Sequence, residues 1–309
     1  MNNLRLLIQT VSSELSTASE FFVRALHTGR AGRYWSYTMR ICHAQQAIHI
    51  ASLILLVSAT SVRADDASLA QELTNPVASL ISVPIQYNFD RGFGPADDGE
   101  RHLINVQPVI PFSLNQDWTV VSRTIVPVIA QDEIFTGAGE QFGLGDVVQS
   151  LFFSPKTPAG PIIWGAGPVV LLPTGTDQLT TSEKWGAGPT AVLLSMQGPW
   201  TIGVLANHIW SFAGDDRRSD INATFIQPFI TYTTPDAWTF AFNTESTYDW
   251  EAGAWSVPLN LSVSKLTKLG SQPISIGAGA RYWAEAPDAG PEGWALRSSL
   301  TFLFPTGSK

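Results

Sequence analysis

From Ser79 onward the chain divides into segments of about ten residues in which apolar and polar positions alternate with period two, the length a tilted strand needs to cross a bilayer. Three segments carry the pattern cleanly. In Trp238 to Trp250, the residues Trp238, Phe240, Phe242, Tyr248 and Trp250 share one face while Asn243, Glu245, Thr247 and Asp249 share the other. Trp255 to Ser264 sets Trp255, Val257, Leu259, Leu261 and Val263 against Ser256, Asn260, Ser262 and Ser264. Trp294 to Phe304 sets Trp294, Leu296, Leu300, Phe302 and Phe304 against Arg297, Ser299 and Thr301. Such strands fit a barrel in lipid and equally half of a soluble β-sandwich, so alternation alone does not decide.

The connections narrow the choice. Short ones at Asn115 to Asp117, Gln197 to Pro199 and Thr234 to Ala237 interleave with longer polar ones at Asp90 to Arg101, Gln131 to Gly143, Pro173 to Lys184, Gly214 to Asp220 and Glu285 to Gly293. Short turns at one end and long loops at the other are the outer-membrane arrangement. If the first strand runs outward, Trp118, Trp164, Trp200 and Trp238 fall near the inner ends. Trp185, Trp210, Trp250, Trp255, Trp283 and Trp294 then fall near the outer ends. Two aromatic belts suit indole rings at two lipid headgroup levels, whereas a sandwich buries tryptophan mid-strand. The expectation is an all-β fold: a closed antiparallel transmembrane β-barrel of about 12 strands over residues 79–304, followed by a 305–309 tail.

Proline complicates this picture. Pro84, Pro108, Pro127, Pro168, Pro189, Pro228 and Pro258 fall within strand segments, where they cannot donate to a ladder, and bulges at these sites are the expected accommodation. The stretch from Gly145 to Met196 is so rich in Gly and Pro that its inward face cannot be assigned. Within it, Trp164-Gly165-Ala166-Gly167-Pro168 recurs as Trp185-Gly186-Ala187-Gly188-Pro189, one hairpin apart, which reads as a structural repeat.

Ahead of the strands, Arg40, an apolar run from Ile48 to Ala59 and Val62-Arg63-Ala64 read as a signal peptide over 39–64, cut after Ala64. The run is too short to span a bilayer as a helix, which leaves a membrane anchor as the weaker alternative. Residues 1–38 form an N-terminal extension, either a long leader or the product of a start codon upstream of Met39. The 65–78 segment predicts a short periplasmic or lumenal helix, Asp65 to Thr74, ended by Asn75-Pro76 because the residue before proline avoids the α region.

Charge supports a surface other than nucleic acid. Only 14% of residues are charged, against about 25% in ordinary soluble proteins. Twelve basic and twenty-four acidic residues follow position 64, so no basic field is available to hold nucleic acid. The one cysteine, Cys42, lies in the leader, excluding thiolate metal sites and disulfides from the rest, and no metal or cofactor is expected. Beyond the leader only His102 and His208 could serve as a catalytic base. His208 shares the face of Ile202, Val204 and Trp210, and His102 begins a strand beside a loop, so no catalytic residue is assigned. The acidic groups Asp97, Asp98, Glu100 and Asp215, Asp216, Asp220 read as solvated loops rather than calcium sites.

Strand parity points Gln86, Asn88, Asn105, Gln107, Arg123, Asn243, Glu245, Arg281 and Arg297 into the lumen. Charges and amides there set what passes a pore, or pair across a filled interior and hold the barrel shut.

Several phrases, taken in order, carry a resemblance: Asn75-Pro76-Val77-Ala78-Ser79-Leu80-Ile81-Ser82-Val83-Pro84-Ile85-Gln86, Asn105-Val106-Gln107-Pro108-Val109-Ile110-Pro111-Phe112, Ser122-Arg123-Thr124-Ile125-Val126-Pro127, Gly143-Leu144-Gly145-Asp146, Leu151-Phe152-Phe153-Ser154-Pro155 and Phe225-Ile226-Gln227-Pro228-Phe229. From Asn75 to Phe304 the chain resembles the bacterial outer-membrane barrels of the "MetA-pathway of phenol degradation" family, some of which carry the label neuromedin U. The resemblance implies a transporter-like outer-membrane barrel of a Gram-negative bacterium, and the family name implies aromatic solutes. One departure is that the terminal aromatic read by the barrel assembly machinery would be Phe304, with Pro305 to Lys309 beyond it.

The functional expectation is a porin-like channel for passive passage of small solutes, hydrophobic or aromatic ones included, and not an enzyme. Its expected partners are outer-membrane lipid, the solute and the assembly machinery; its oligomeric state is open. The alternatives are a membrane-embedded lipid hydrolase and a soluble secreted β-sandwich that binds ligands.

Overall fold

The computed structural model describes residues 64 to 305 apart from Ala159, so the extension and all of the leader but Ala64 lie outside the described residues. A helix, α1 (Ala64–Glu72), is followed by fifteen strand segments. These are β1 (Ile81–Phe93), β2 (Gly99–Val106), β3 (Val109–Ser113), β4 (Trp118–Asp132), β5 (Glu140–Leu144), β6 (Val147–Pro155), β7 (Ile162–Leu172) and β8 (Lys184–Gln197). The rest are β9 (Trp200–Gly214), β10 (Asn222–Thr233), β11 (Trp238–Thr244), β12 (Ser246–Asp249), β13 (Ala254–Leu269), β14 (Gln272–Glu285) and β15 (Gly293–Phe304). Three strand positions are interrupted, namely β2/β3 at Gln107-Pro108, β5/β6 at Gly145-Asp146 and β11/β12 at Glu245, which leaves twelve strands.

Every neighbour is antiparallel and the sheet closes on itself. Ile81 pairs with Phe304 and the β1–β15 ladder runs to Phe89 opposite Leu296. Closure satisfies the backbone groups of what would otherwise be two edge strands, which is the requirement for a sheet that meets lipid. A soluble sandwich, with free edges in two packed layers, is excluded by this pairing.

The prolines are handled mostly without bulges, contrary to the sequence expectation. Register shifts at two of them: between Val257 and Pro258, and across Pro127, where Val126 and Pro127 face the three residues Gly145, Asp146 and Val147. Pro84, Pro127 and Pro228 each face an interruption in the neighbouring strand, without a register shift in the first and last: Pro84 lies beside the Gln107-Pro108 break, Pro127 beside Gly145-Asp146 and Pro228 beside Glu245. A proline offers no N–H, so the partner leaves the ladder at that point. The proline's own carbonyl still accepts from the facing residue, Gln107 N–H donating to Pro84 O at 2.8 Å and Gly145 N–H to Pro127 O at 2.9 Å.

The repeated Trp-Gly-Ala-Gly-Pro phrase folds as an antiparallel pair in which Pro168 faces Pro189. Each proline lies at a gap in the ladder on its other side, between Ser150/Val169 and Phe153/Ala166 in one case and between Ala187/Trp210 and Thr190/Asn207 in the other. At those gaps the glycine before proline meets a neighbouring carbonyl. A Cβ on Gly167 would lie 2.0 Å from Leu151 O, and one on Gly188 would lie 1.8 Å from His208 O. Gly188→Ala is therefore expected to destabilise the barrel by about 1–3 kcal/mol, the usual cost of forcing a methyl into packed surroundings. A urea titration of the folded and unfolded electrophoretic forms measures this, and an unchanged midpoint would contradict the close approach.

The outward face carries the apolar residues of the alternation. Phe240, Phe242, Leu261, Leu296, Ile202 and Leu193 are all exposed. Trp118, Trp164, Trp200 and Trp238 lie at the strand ends that join the short connections, among them the two-residue turns Gly198-Pro199 and Gly270-Ser271. Trp185, Trp210, Trp250, Trp255 and Trp294 lie at the opposite ends. Many pair with a neighbouring ring, such as Trp118 with Trp164 at 5.8 Å, Trp200 with Tyr232 at 4.8 Å and Tyr282 with Trp294 at 5.1 Å between centroids. At the inner end Lys265 runs its stem beneath Trp238, its ammonium 5.2 Å from the ring centroid and bonded to Asp236 O.

Trp283 is a correction to the outer belt. It shares its side of β14 with Arg281, and its indole N–H donates to Asp90 at 2.9 Å. A buried indole nitrogen needs an acceptor, and in this position it finds one inside the barrel.

The candidate site: a lumen holding an ion-pair layer and the segment before the first strand

Two apolar clusters fill the inner part of the barrel. α1 is only nine residues long, too short to be stable alone, and is held by what it packs on. Leu69, Ala70 and Leu73 join Ala78, Leu80, Ala237, Leu266 and Leu303 in one cluster. Polar anchors tie the same segment to distant strands. Asp66 pairs with Lys268 at 3.1 Å, Gln71 donates to Gly198 O at 2.6 Å and Thr74 to Thr201 Oγ1 at 2.8 Å. Asn75 and Pro76 then turn the chain, with Asn75 Oδ1 accepting from Val77 N–H at 3.0 Å.

Val77 enters the second cluster, with Val121 of β4, Phe152 of β6, Val192 and Leu194 of β8, and Leu205 of β9. Register places these residues on one continuous face: Val121 pairs with Phe152, and Val192 with Leu205. Residues on four strands of a closed barrel can share one buried cluster with Val77 only from the concave side, so Val77 reaches into the lumen. A Cβ on Gly165 would lie 3.0 Å from Val77 Cγ1, a measure of how closely the wall meets this insert.

Above the apolar floor lies a charged layer. Glu245, at the break opposite Pro228, accepts two bonds from Arg297, at 2.9 and 2.6 Å, and one from Arg281 at 2.8 Å. Arg281 also donates to Asn260 at 2.9 Å and lies 3.3 Å from both oxygens of Asp90, while Arg297 Nε donates to Asn88 at 2.8 Å. Asn260 in turn donates to Asn243 Oδ1 at 2.8 Å. Two strands separate Glu245 from Arg297, and one separates Asp90 from Arg281, so these bonds also cross the concave side. Two guanidiniums share one fully committed carboxylate, with a second carboxylate and amides completing the donors' partners, which is the condition for a buried ion pair to hold.

The nine residues that parity pointed inward thus share one face, and most of them meet. Asn88, Asn243, Glu245, Arg281 and Arg297 belong to the layer. Gln86 reaches Asn88 at 3.5 Å, and Arg123 Nη2 donates to Gln107 at 2.9 Å. Asn105 stands in register between Gln86 and Pro127, on the same row. Sequence reasoning missed Asp90, Asn260, Arg101 and Trp283. Asp90 reads as the start of a loop, although its even spacing from Gln86 and Asn88 already placed it on their face. Arg101, in register with Asp90, donates to Gln131 at 2.8 Å and lies over the Phe93 ring at 4.6 Å.

The layer separates two cavities. The outer one, about 500 Å³, is lined by Asp90, Arg101, Arg281 and Trp283 and bordered by Pro287 to Pro291 of the β14–β15 loop. The inner one, about 290 Å³, is lined by Gln86, Gln107, Arg123 and Gln227 above Leu73 and Pro76.

The outer loops are organised by carboxylates. Asp146 accepts from Gly175 N–H, Thr181 Oγ1, Ser182 N–H and Ser182 Oγ, at 2.5–3.1 Å, folding the β7–β8 loop back onto the β5–β6 break. Lys184 bonds Asp220 at 2.9 Å and holds that carboxyl below its ordinary range. Arg217 does the same for Asp215.

Neither histidine is placed beside a serine hydroxyl by its described bonds. His102 Nδ1 meets Tyr87 Oη at 2.8 Å and its ring stacks on Phe89 at 4.8 Å; His208 Nδ1 meets Thr224 Oγ1 at 2.7 Å. Among the described residues no group of three or more His, Cys, Asp or Glu could hold a metal ion.

Neither a family model nor a curated protein matches the sequence. Among solved structures the chain is similar to an outer membrane channel from Pseudomonas putida F1, with a TM-score of 0.58 and 14% identity, covering 73% of this chain and 96% of that one. The NanC porin (TM-score 0.44, 12% identity, 73% and 99% covered) and the KdgM porin in complex with oligogalacturonate (0.40, 10%, 72% and 99%) are more remote. At such identity the likeness establishes the fold, a closed twelve-stranded barrel of the outer-membrane type.

Proposed function

We propose that this protein is an outer-membrane channel of a Gram-negative bacterium that passes small solutes, and that it belongs with the phenol-degradation pathway barrels its sequence resembles. The observation that carries the reading is the division of the wall. Aliphatic and aromatic side chains cover its outside and the two rows of tryptophan suit the two headgroup levels, while arginines, carboxylates and amides project inside. The apolar floor around Val77 favours solutes with a hydrophobic part, which agrees with the aromatic uptake that the family name implies. In this reading the residues from Gln86 to Arg297 discussed above line the route, outer-membrane lipid surrounds the barrel, and the assembly machinery inserts it.

The test is heat-modifiable migration of the protein after detergent extraction of the outer-membrane fraction, followed by swelling of liposomes containing it. Swelling with small neutral or weakly charged solutes is the expected result. Release by osmotic shock without detergent would refute the location. Lipid cleavage by the purified protein, lost in His102→Ala or His208→Ala, would replace the channel with a hydrolase.

A further inference from the structure

Arg123 is unlike the other two guanidiniums near Glu245. Arg281 and Arg297 are taken up by carboxylate and amide acceptors, whereas among the described residues the one side-chain bond of Arg123 goes to Gln107 Oε1 at 2.9 Å. Among the described residues no carboxylate lies within ion-pairing distance of it, although it stands in the field of Glu245. A guanidinium carries five N–H donors in a planar fork that fits a carboxylate. The remaining donors border the inner cavity, where Gln86 and Gln227 add amides and Leu73, Pro76, Leu80 and Leu205 form an apolar wall.

From this we propose that the inner cavity is a binding site for a small monocarboxylate with an apolar body, its carboxylate on Arg123 and its chain against the wall built by the segment before β1. The volume of about 290 Å³ lies at the lower end of small-molecule pockets, about 300–1,000 Å³. One cation at one end, facing an apolar wall, selects a monoanion over a dianion. Among the described residues the only acidic one lining the cavity is Glu72, at the end of α1. Burial raises its carboxyl above the ordinary range, which lowers the share of the repelling form. The proposal rests on the channel reading only for the route by which the solute arrives.

The experiment is titration calorimetry on the folded full-length barrel in amphipol with hexanoate and with hexanamide, which differ in charge but hardly in shape. Hexanoate is expected to bind at least about tenfold more tightly than hexanamide, a difference of about 1.4 kcal/mol. Arg123→Gln should remove that preference, Arg123→Lys should keep part of it, and Glu72→Gln, outside the strands, should strengthen hexanoate binding. Equal binding of the two probes, or a preference that survives Arg123→Gln, overturns the site. Liposome swelling separates this from the channel reading: swelling without Arg123-dependent hexanoate binding sinks the site alone, and Arg123-dependent binding in a barrel that never conducts sinks the channel alone.

Discussion

Replacing Glu245 with alanine is expected to cost the barrel about 3–5 kcal/mol, because removing the shared acceptor of a buried ion network leaves its cations uncompensated. Three bonds of 2.6–2.9 Å disappear together, and Arg281 and Arg297 face each other across the space that remains. Glu245→Gln, which keeps one acceptor oxygen, should lose less. Combining Glu245→Ala with Arg297→Met should recover part of the loss, since the two positions interact directly. Urea titration of the barrel refolded into lipid vesicles measures all three. A midpoint unmoved by Glu245→Ala would mean that the cross-barrel layer contributes nothing to stability.

The second large effect concerns passage. Deleting residues 65–78 takes Val77 out of the cluster with Val121, Phe152, Val192, Leu194 and Leu205 and opens the floor of the inner cavity. The deleted barrel should still show heat-modifiable migration, because β1 and β15 close the sheet without that segment. Its conductance in planar bilayers should rise several-fold. Conductance equal to that of the full chain would show that the segment does not obstruct the route.

Much of this architecture was legible in the residues themselves. Where one face is wet and the other meets apolar surroundings, as from Trp238 to Phe304, alternation placed Asn243, Glu245 and Arg297 on the same side that the register gives them. It failed between Gly145 and Met196 for a definite reason. There the inward positions include Phe152, Val169, Val192 and Leu194 beside Ser150, Ser154 and Thr190, and Phe152, Val192 and Leu194 pack with Val77 of the inserted segment, so the inner face is largely apolar too and the alternation weakens. The position of the insert depends on contacts between residues more than a hundred apart in sequence, such as Gln71 with Gly198, which no local pattern encodes. Asp90 was hidden by Asp90-Arg91-Gly92, which reads as a turn; the chain instead bulges between Arg91 and Phe93, with Gly92 at φ 77°, and continues as strand. The prolines misled in the same way, because their remedy lies in the neighbouring strand rather than at the proline. Glu245 owes its place to this, since it emerges where β11 and β12 part opposite Pro228.

We expect the segment ahead of β1 to control solute movement through this barrel. A disulfide between Val77→Cys and Gly165→Cys would pin that segment to the wall, because a Cβ on Gly165 would lie 3.0 Å from Val77 Cγ1, which puts the replacement sulfurs within bridging reach. Single-channel current through the oxidised double variant should fall well below that of the unmodified protein and return on reduction. Current that is the same before and after reduction, and the same as in the unmodified barrel, would contradict the account.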